Sequence, residues 1–223
     1  MQILGEVQYL QGLGRTLQIT VMALIIGVIL GVAVAVLRTA HDQQRVGQRS
    51  MVLGIINTVC KLYTTIIRGT PMMVQLLIMS LVIFSHSRDF AMVGALTLGI
   101  NSGAYVAEIV RSGLMSVDAG QMEAGRSLGL NYSITMRFVV VPQAIKNILP
   151  ALGNEFITLL KDTSLITVIG GKEMLYAAQA IYAKTYAPMM PLVGTAILYL
   201  IVVVLFTWLL GILERRLRQS DRR

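Results

Sequence analysis

Thr16 to Leu37 reads TLQITVMALIIGVILGVAVAVL, 22 residues without a charge. A helix of roughly 20 apolar residues crosses the ~30 Å hydrocarbon core of a bilayer, so this run suffices for one span. A second run, Met189 to Leu213, extends for 25 residues, again without a charge. A secretory leader carries an apolar stretch of only about 7–15 residues. The first run is longer and Arg15 is the one cation ahead of it, so it is expected to persist as a span.

The rest of the composition agrees. Apolar residues make up 55% of the chain and charged residues 13%, with a mean hydropathy of +0.71, which points to helices in lipid. The formal charge of +8 does not indicate nucleic acid, because the aromatic residues are not interleaved with the cations and many cations flank apolar runs. Cys60, the single cysteine, lies in an apolar stretch, so neither a disulfide framework nor a thiolate metal cluster can form within the chain.

Three less uniform segments lie between the two clear spans: 51–84, 91–110 and 148–170. The first contains Lys61, Arg68 and Pro71, and the pieces on either side of Arg68-Gly69-Thr70-Pro71 are too short for both to cross. It is expected to be one long, locally disturbed helix, since a proline break is tolerated where neighbouring helices cover it. The fold class is therefore all-α, an integral membrane bundle of five transmembrane helices at 16–37, 51–84, 91–110, 148–170 and 189–213. Residues 1–15 form an N-terminal segment, 111–147 a long loop, and 214–223 a basic tail.

Cations gather on the cytoplasmic side of bacterial membrane proteins. One set of connecting segments holds Arg38, Arg45, Arg49, Arg111, Arg126, Arg137, Lys146, Arg215, Arg216, Arg218, Arg222 and Arg223, twelve in all. The opposite set holds four: Arg15, Arg88, Lys172 and Lys184. An extracytoplasmic N-terminus and a cytoplasmic C-terminus follow for a multi-pass protein of the bacterial inner membrane. The loop 111–147 is then the longest cytoplasmic segment. Its stretch from Val117 to Pro142 fits two short helices joined by a glycine turn, with Gly129 free to take positive φ and Asn131 placed to cap the second helix.

The loop carries Glu123-Ala124-Gly125, then Gly129, then Val139-Val140-Val141-Pro142. This spacing resembles the coupling-loop signature of ABC importer permeases of the type I fold, Glu-Ala-Ala, three residues, Gly, nine residues, Ile-x-Leu-Pro. Gly125, Val139 and Val141 depart from it conservatively. The resemblance extends to Ile67-Arg68-Gly69-Thr70-Pro71, to Asn101-Ser102-Gly103-Ala104-Tyr105-Val106-Ala107-Glu108, and to Leu152-Gly153-Asn154-Glu155-Phe156 with Leu160-Lys161-Asp162-Thr163-Ser164-Leu165. Those stretches are similar to the polar amino-acid uptake subfamily, the histidine, glutamine, glutamate and arginine type.

The resemblance implies a transport subunit that moves a polar amino acid by alternating access. It implies an ABC ATPase in two copies that binds ATP and Mg and grips Glu123, Ala124, Gly125, Arg126, Ser127, Leu128 and Gly129. It also implies an identical or homologous permease and an extracytoplasmic substrate-binding protein. No cofactor is expected in this chain, and it is not expected to be an enzyme. Gly170-Gly171-Lys172-Glu173 does not make a phosphate loop, because Ile166 stands where the first glycine belongs and Glu173 where Ser or Thr belongs.

Ionisable groups inside a span cost about 2.5–3.5 kcal/mol each on insertion scales and usually face a partner or a watery path. Asn154 and Lys161 are seven apart, as are Glu155 and Asp162, with Thr158 between, so they share a broad helix face. Two readings fit: that face lines the translocation path, or Lys161 and Asp162 balance charge within the bundle. Arg68, Thr70 and Gln75 are candidates for substrate contact, with an interface anchor as the competing reading for Arg68 and a simple bend for Pro71. Asn101, Ser102 and Tyr105 join the candidate path, whereas Glu108 is expected to be solvated. Gly27 with Gly31, and Gly99 with Gly103, form small-xxx-small pairs suited to close helix approach. His41 and His86 fall in loops, the Met72, Met73 and Met79 group reads as packing, and Tyr199 and Trp208 read as packing or interfacial residues.

The rival classes are weaker. A membrane enzyme would need paired His ligands, a Cys cluster or a nucleophile with its base, and none stands out; a passive channel would need no docking loop. Within importers, methionine or an organosulfur compound is the alternative cargo.

Overall fold

The structure, a computed structural model, describes residues 2–42, 44 and 50–219. Arg45, Arg49, Arg222 and Arg223, counted above for orientation, lie outside the described residues, as does the side chain of Arg218. No strand occurs among the described residues. The helices are α1 (Gln2–Asp42), α2 (Met51–Gly69), α3 (Met72–Ile78), α4 (Phe90–Met115), α5 (Ala119–Ser127), α6 (Tyr132–Thr135), α7 (Val141–Asp162), α8 (Met174–Thr185) and α9 (Met189–Gln219).

Among the described residues, four helical stretches are long and apolar enough to cross a membrane: Val7–Asp42, Met51–Gly69, Phe90–Met115 and Met189–Leu217. The 22-residue α7, which carries Lys146, Glu155, Lys161 and Asp162, is not among them.

The frame is α1 laid against α4. A Cβ on Gly27 would stand 2.9 Å from the Ser102 Cβ, and one on Gly31 would stand 2.6 Å from the Val106 Cβ. From the other side, a Cβ on Gly99 would meet the Ile26 Cβ at 2.7 Å and one on Gly103 the Tyr63 hydroxyl at 2.7 Å. The two glycine pairs thus do what their spacing suggests, bringing backbones together where a methyl would intrude. Around this contact a core forms from Ile19, Ala23, Leu76, Val93, Leu98, Leu159 and Ile166, with Met72 and Met79 packed against it. At the opposite end of the bundle Ala35, Val106 and Val110 make a smaller cluster. α9 lies outside on α7, where Phe156 and Phe206 meet edge to face at 4.8 Å, and it leaves Ile197, Leu200, Ile201 and Trp208 exposed.

Several expectations need correction. Segment 51–84 is not one helix. Thr70 is extended, at φ −118° and ψ 146°, because the ring of Pro71 disfavours the helical region for the residue before it, so α2 stops at Gly69 and α3 restarts at Met72. α3 then widens into a π turn at Met79–Ile83. The second helix of the loop is not short either. From Tyr132 the chain stays helical through a π turn, Met136–Val140, into α7. The widened turn absorbs the hydrogen bond that Pro142 cannot donate.

At its far end α7 stops at Asp162 and tightens into a 3-10 segment, Thr163–Ile169, closed by Gly170 at φ +92°. Residues 174–185, expected as loop, form α8. Residues 2–15 of the expected N-terminal segment are not structurally separate from the first span, because α1 runs unbroken from Gln2. His41 sits in the last turn of α1 and not in a loop, 3.1 Å from the amide nitrogen of Asn57.

Gly31→Val should therefore push α1 from α4 and cost ~1–3 kcal/mol as an overpacking change. The readout is the thermal unfolding midpoint in detergent. Gly54→Ala, which meets nothing within 4 Å, should hold or raise that midpoint.

Candidate functional site

Two regions concentrate the candidate residues. The first is the α5 loop. Asp118 caps the helix, its Oδ1 accepting from the Gly120 N–H at 2.6 Å. The helix ends in a Schellman arrangement: the Gly129 N–H donates to the Arg126 carbonyl at 2.9 Å and the Leu130 N–H to the Gly125 carbonyl at 3.0 Å. Gly129 supplies the positive φ, +76°, that this closure requires. Asn131 then caps α6, accepting from the Ile134 N–H at 2.9 Å.

Gly125 is the buried member of the stretch Glu123–Gly129, and a Cβ there would stand 2.5 Å from Thr135 Cγ2. That contact explains why glycine stands at a position where the family pattern has alanine. Glu123, Ala124, Arg126 and Ser127 are exposed, and Leu128 is 79% exposed, so one short rigid helix presents an acid, a base and an apolar side chain outward.

The second region is a groove of about 380 Å³ between α2, α4 and α7, lined by Arg68, Tyr105, Glu108, Ser112, Asn147 and Glu155 among others. The Arg68 guanidinium lies over the Tyr105 ring, 5.4 Å from its centroid. Glu155 accepts from the Ser102 hydroxyl at 2.7 Å. Glu108 is not a solvated acid. Its carboxylate takes Arg38 Nη1 at 2.5 Å and Arg111 Nη2 at 3.0 Å, tying the end of α1 to the end of α4. Asn147 reaches from α7 to the Ser116 hydroxyl at 2.8 Å, beside the start of the α5 loop.

Other path candidates serve the helix break. Gln75 Nε2 donates to the Ile67 carbonyl at 2.7 Å and lies 2.8 Å from the Thr70 hydroxyl. Its Oε1 accepts from Asn101 Nδ2 at 2.9 Å. Thr70 in turn donates to the Ile66 carbonyl at 2.8 Å. A proline break frees backbone carbonyls, and this chain of side chains satisfies them. On α7, Asn154, Thr158 and Lys161 are exposed on one side, with Thr158 bonded back to the Asn154 carbonyl at 3.1 Å. Asp162 is half-buried with Lys161 as its electrostatic neighbour. The structure thus brings Arg68, Tyr105 and Glu155 to one groove and sets Asn154, Thr158 and Lys161 on an open helix face.

Glu173 was passed over in the sequence except as a mismatch to a phosphate loop. It is 1% exposed. Its carboxylate caps α8 by accepting from the Tyr176 N–H at 2.8 Å, and it takes the hydroxyls of Thr167 and, at 2.8 Å, Tyr199. Tyr199 is therefore a hydrogen-bond donor to a buried acid as well as a packing residue. The acid followed by an alanine-rich stretch was a readable cap signal.

Residues 27–219 match the family described as binding-protein-dependent transport system inner membrane component. The chain belongs to this family. As such a permease it is a multi-pass inner-membrane transport subunit, and ATP is used by a separate ABC ATPase subunit with which it works. It is 36% identical over 217 residues to the arginine transport system permease protein ArtQ of Bacillus subtilis, covering 95% of this chain and 93% of that protein. It is 34% identical over 213 residues to the glutamine transport system permease protein GlnP of Escherichia coli K12, covering 94% and 92%.

Among solved structures, an amino acid ABC transporter crystallised with histidines matches with a TM-score of 0.86 at 40% identity, over 96% of each chain. The MetNI methionine ABC transporter in an inward-facing form matches with a TM-score of 0.75 at 19% identity, over 94% of this chain and 96% of that one, a likeness of fold.

Gln75→Leu in the permease should leave the Ile67 and Thr70 carbonyls without their amide donor, at a cost of ~1–3 kcal/mol in stability. An unfolding midpoint equal to the wild type would instead assign the Gln75 amide to a solute.

Proposed function

We propose that this permease carries a polar amino acid inward by alternating access, driven by two copies of an ABC ATPase that bind ATP and Mg²⁺. The observation that carries the reading is the groove in which a guanidinium, Arg68, stacked on Tyr105, and a carboxylate, Glu155, line one space. An amino acid brings the complementary pair, a carboxylate and an ammonium. The arginine and glutamine permeases among its relatives, and the amino acid transporter of known structure, support the same cargo class.

In this reading α1, α2 with α3, α4, α7 and α9 make five crossings, with the N-terminus outside and the C-terminus in the cytoplasm. The cation distribution supports that orientation. It puts the α5 loop in the cytoplasm, where Glu123–Gly129 docks the ATPase through the exposed face described above. Closure of the ATPase then moves α4 and α7 together, because both flank the loop and are tied by Asn147 and Ser116. A second permease, identical or homologous, completes the path, and the exposed Asn154, Thr158 and Lys161 of α7 face it with Asp162 beside them, while Asn101 and Ser102 of α4 support the path from within this chain through Gln75 and Glu155. An extracytoplasmic binding protein delivers the solute.

Purified permease, ATPase and binding protein reconstituted in liposomes should take up one polar amino acid from a panel in an ATP-dependent way. Silence across the panel with the ATPase still bound would discard the cargo and keep the importer. Glu123→Arg should leave insertion intact and cut uptake per ATP hydrolysed by about tenfold, the effect of ~1.4 kcal/mol; normal coupling would remove the docking role. Glu155→Gln should raise the KM for uptake several-fold with expression unchanged, and an unaltered KM would make Glu155 a partner of Ser102 alone.

A further inference from the structure

We propose that the cleft between residues 8–18 of α1 and the start of α8 seats an acidic loop of the extracytoplasmic solute-binding protein. The inference rests on the importer reading above and adds the place and chemistry of that contact. The cleft holds about 770 Å³ and is lined by Gln8, Gln11, Arg15 and Gln18 of α1 and by Lys172 and Tyr176 at the α8 end. Gln8 to Arg15 precede the apolar run that starts at Thr16, so at 1.5 Å per residue this stretch of α1 carries the outer end of the cleft about 10 Å beyond the hydrocarbon, within reach of a soluble protein, while Gln18 lines its inner end.

The exposed charge in the cleft is positive. Arg15 and Lys172 are both exposed, and Arg15 spends one guanidinium N–H on the Gln18 side chain at 3.1 Å, leaving donors for a two-point carboxylate contact. Glu173 also lines the cleft, but it is 1% exposed and turned to Thr167, Tyr199 and the α8 N–H, so it offers no anion to an incoming group. The three glutamine side chains add neutral donors around the cations.

The walls are built in advance. The Tyr9 hydroxyl donates to the Pro191 carbonyl at 2.9 Å, joining α1 to the start of α9. α1 approaches α8 so closely at Gly12 that a Cβ there would stand 2.9 Å from the Met174 Cα, and the Met174 N–H donates to the Thr16 hydroxyl at 3.3 Å. A cleft fixed on three elements, cationic and open above the membrane, suits a carboxylate-bearing loop of the protein on which this family depends for its solute.

The test uses the permease–ATPase complex in nanodiscs with its binding protein. The double variant Arg15→Glu/Lys172→Glu removes cations only from the proposed outer side, so the orientation bias is kept. It should raise the binding-protein concentration for half-maximal ATPase stimulation at least tenfold, with basal ATP hydrolysis unchanged. Raising salt should weaken stimulation of the wild type and leave the variant nearly indifferent. An unchanged half-maximal concentration, with the wild type still stimulated, overturns the docking site and keeps the importer. Variant effects that follow only the anionic phospholipid content of the nanodisc overturn it in favour of a lipid headgroup. A wild type that no binding protein stimulates removes the importer reading and the docking site together.

Discussion

Everything else in the bundle depends on how closely α1 lies against α4. In lipid, apolar side chains gain little by leaving one apolar surrounding for another, so helices associate through dense packing and hydrogen bonds. Gly27 and Gly31 supply that density by accepting Ser102, Gly103, Val106 and Ala107 directly against the α1 backbone. The consequence reaches the groove. With Ser102, Gly103 and Val106 committed to α1, the helical repeat turns Asn101 and Tyr105 the other way, toward α2, α3 and α7. The Arg38–Glu108–Arg111 cluster then closes the same helix pair at its end with charge instead of packing.

The parts legible in the sequence are those where one local rule decides. The uncharged runs 16–37 and 189–213 sit within α1 and α9, the glycine pairs mark the tight contact, and Gly129 and Asn131 take the turn and cap roles that their types favour. The misread parts are those where two rules compete. Pro71 and Pro142 look alike as helix breakers. At Pro71 the preceding Thr70 goes extended and the helix stops, while at Pro142 a π turn lets it continue, and hydrophobic periodicity does not distinguish the two. α8 was hidden because Lys172, Glu173 and Lys184 make its neighbourhood look polar, although Glu173 is buried by contacts from residues far along the chain.

The candidate site was legible as a set of residues and not as a set of tasks. Polar side chains in a span can serve a solute or serve the backbone, and composition does not separate these. Thr70, Gln75 and Asn101 form a chain of hydrogen bonds that repairs the α2–α3 break, so their first duty is to the fold. Arg68, Tyr105 and Glu155 keep groups directed at open space.

Those two duties are linked through the break itself. Because α2 ends at Gly69, Arg68 stands at a helix C-terminus, where the carbonyl dipoles favour a cation. A continuous helix would deprive Arg68 of that compensation. The proline break therefore gives the Arg68 guanidinium a favourable helix end, Gln75 makes the break tolerable, and Asn101 ties Gln75 to α4, the helix that also presents Tyr105 under Arg68. The groove's charge rests on irregular backbone, and the irregular backbone rests on the side-chain amides of Gln75 and Asn101.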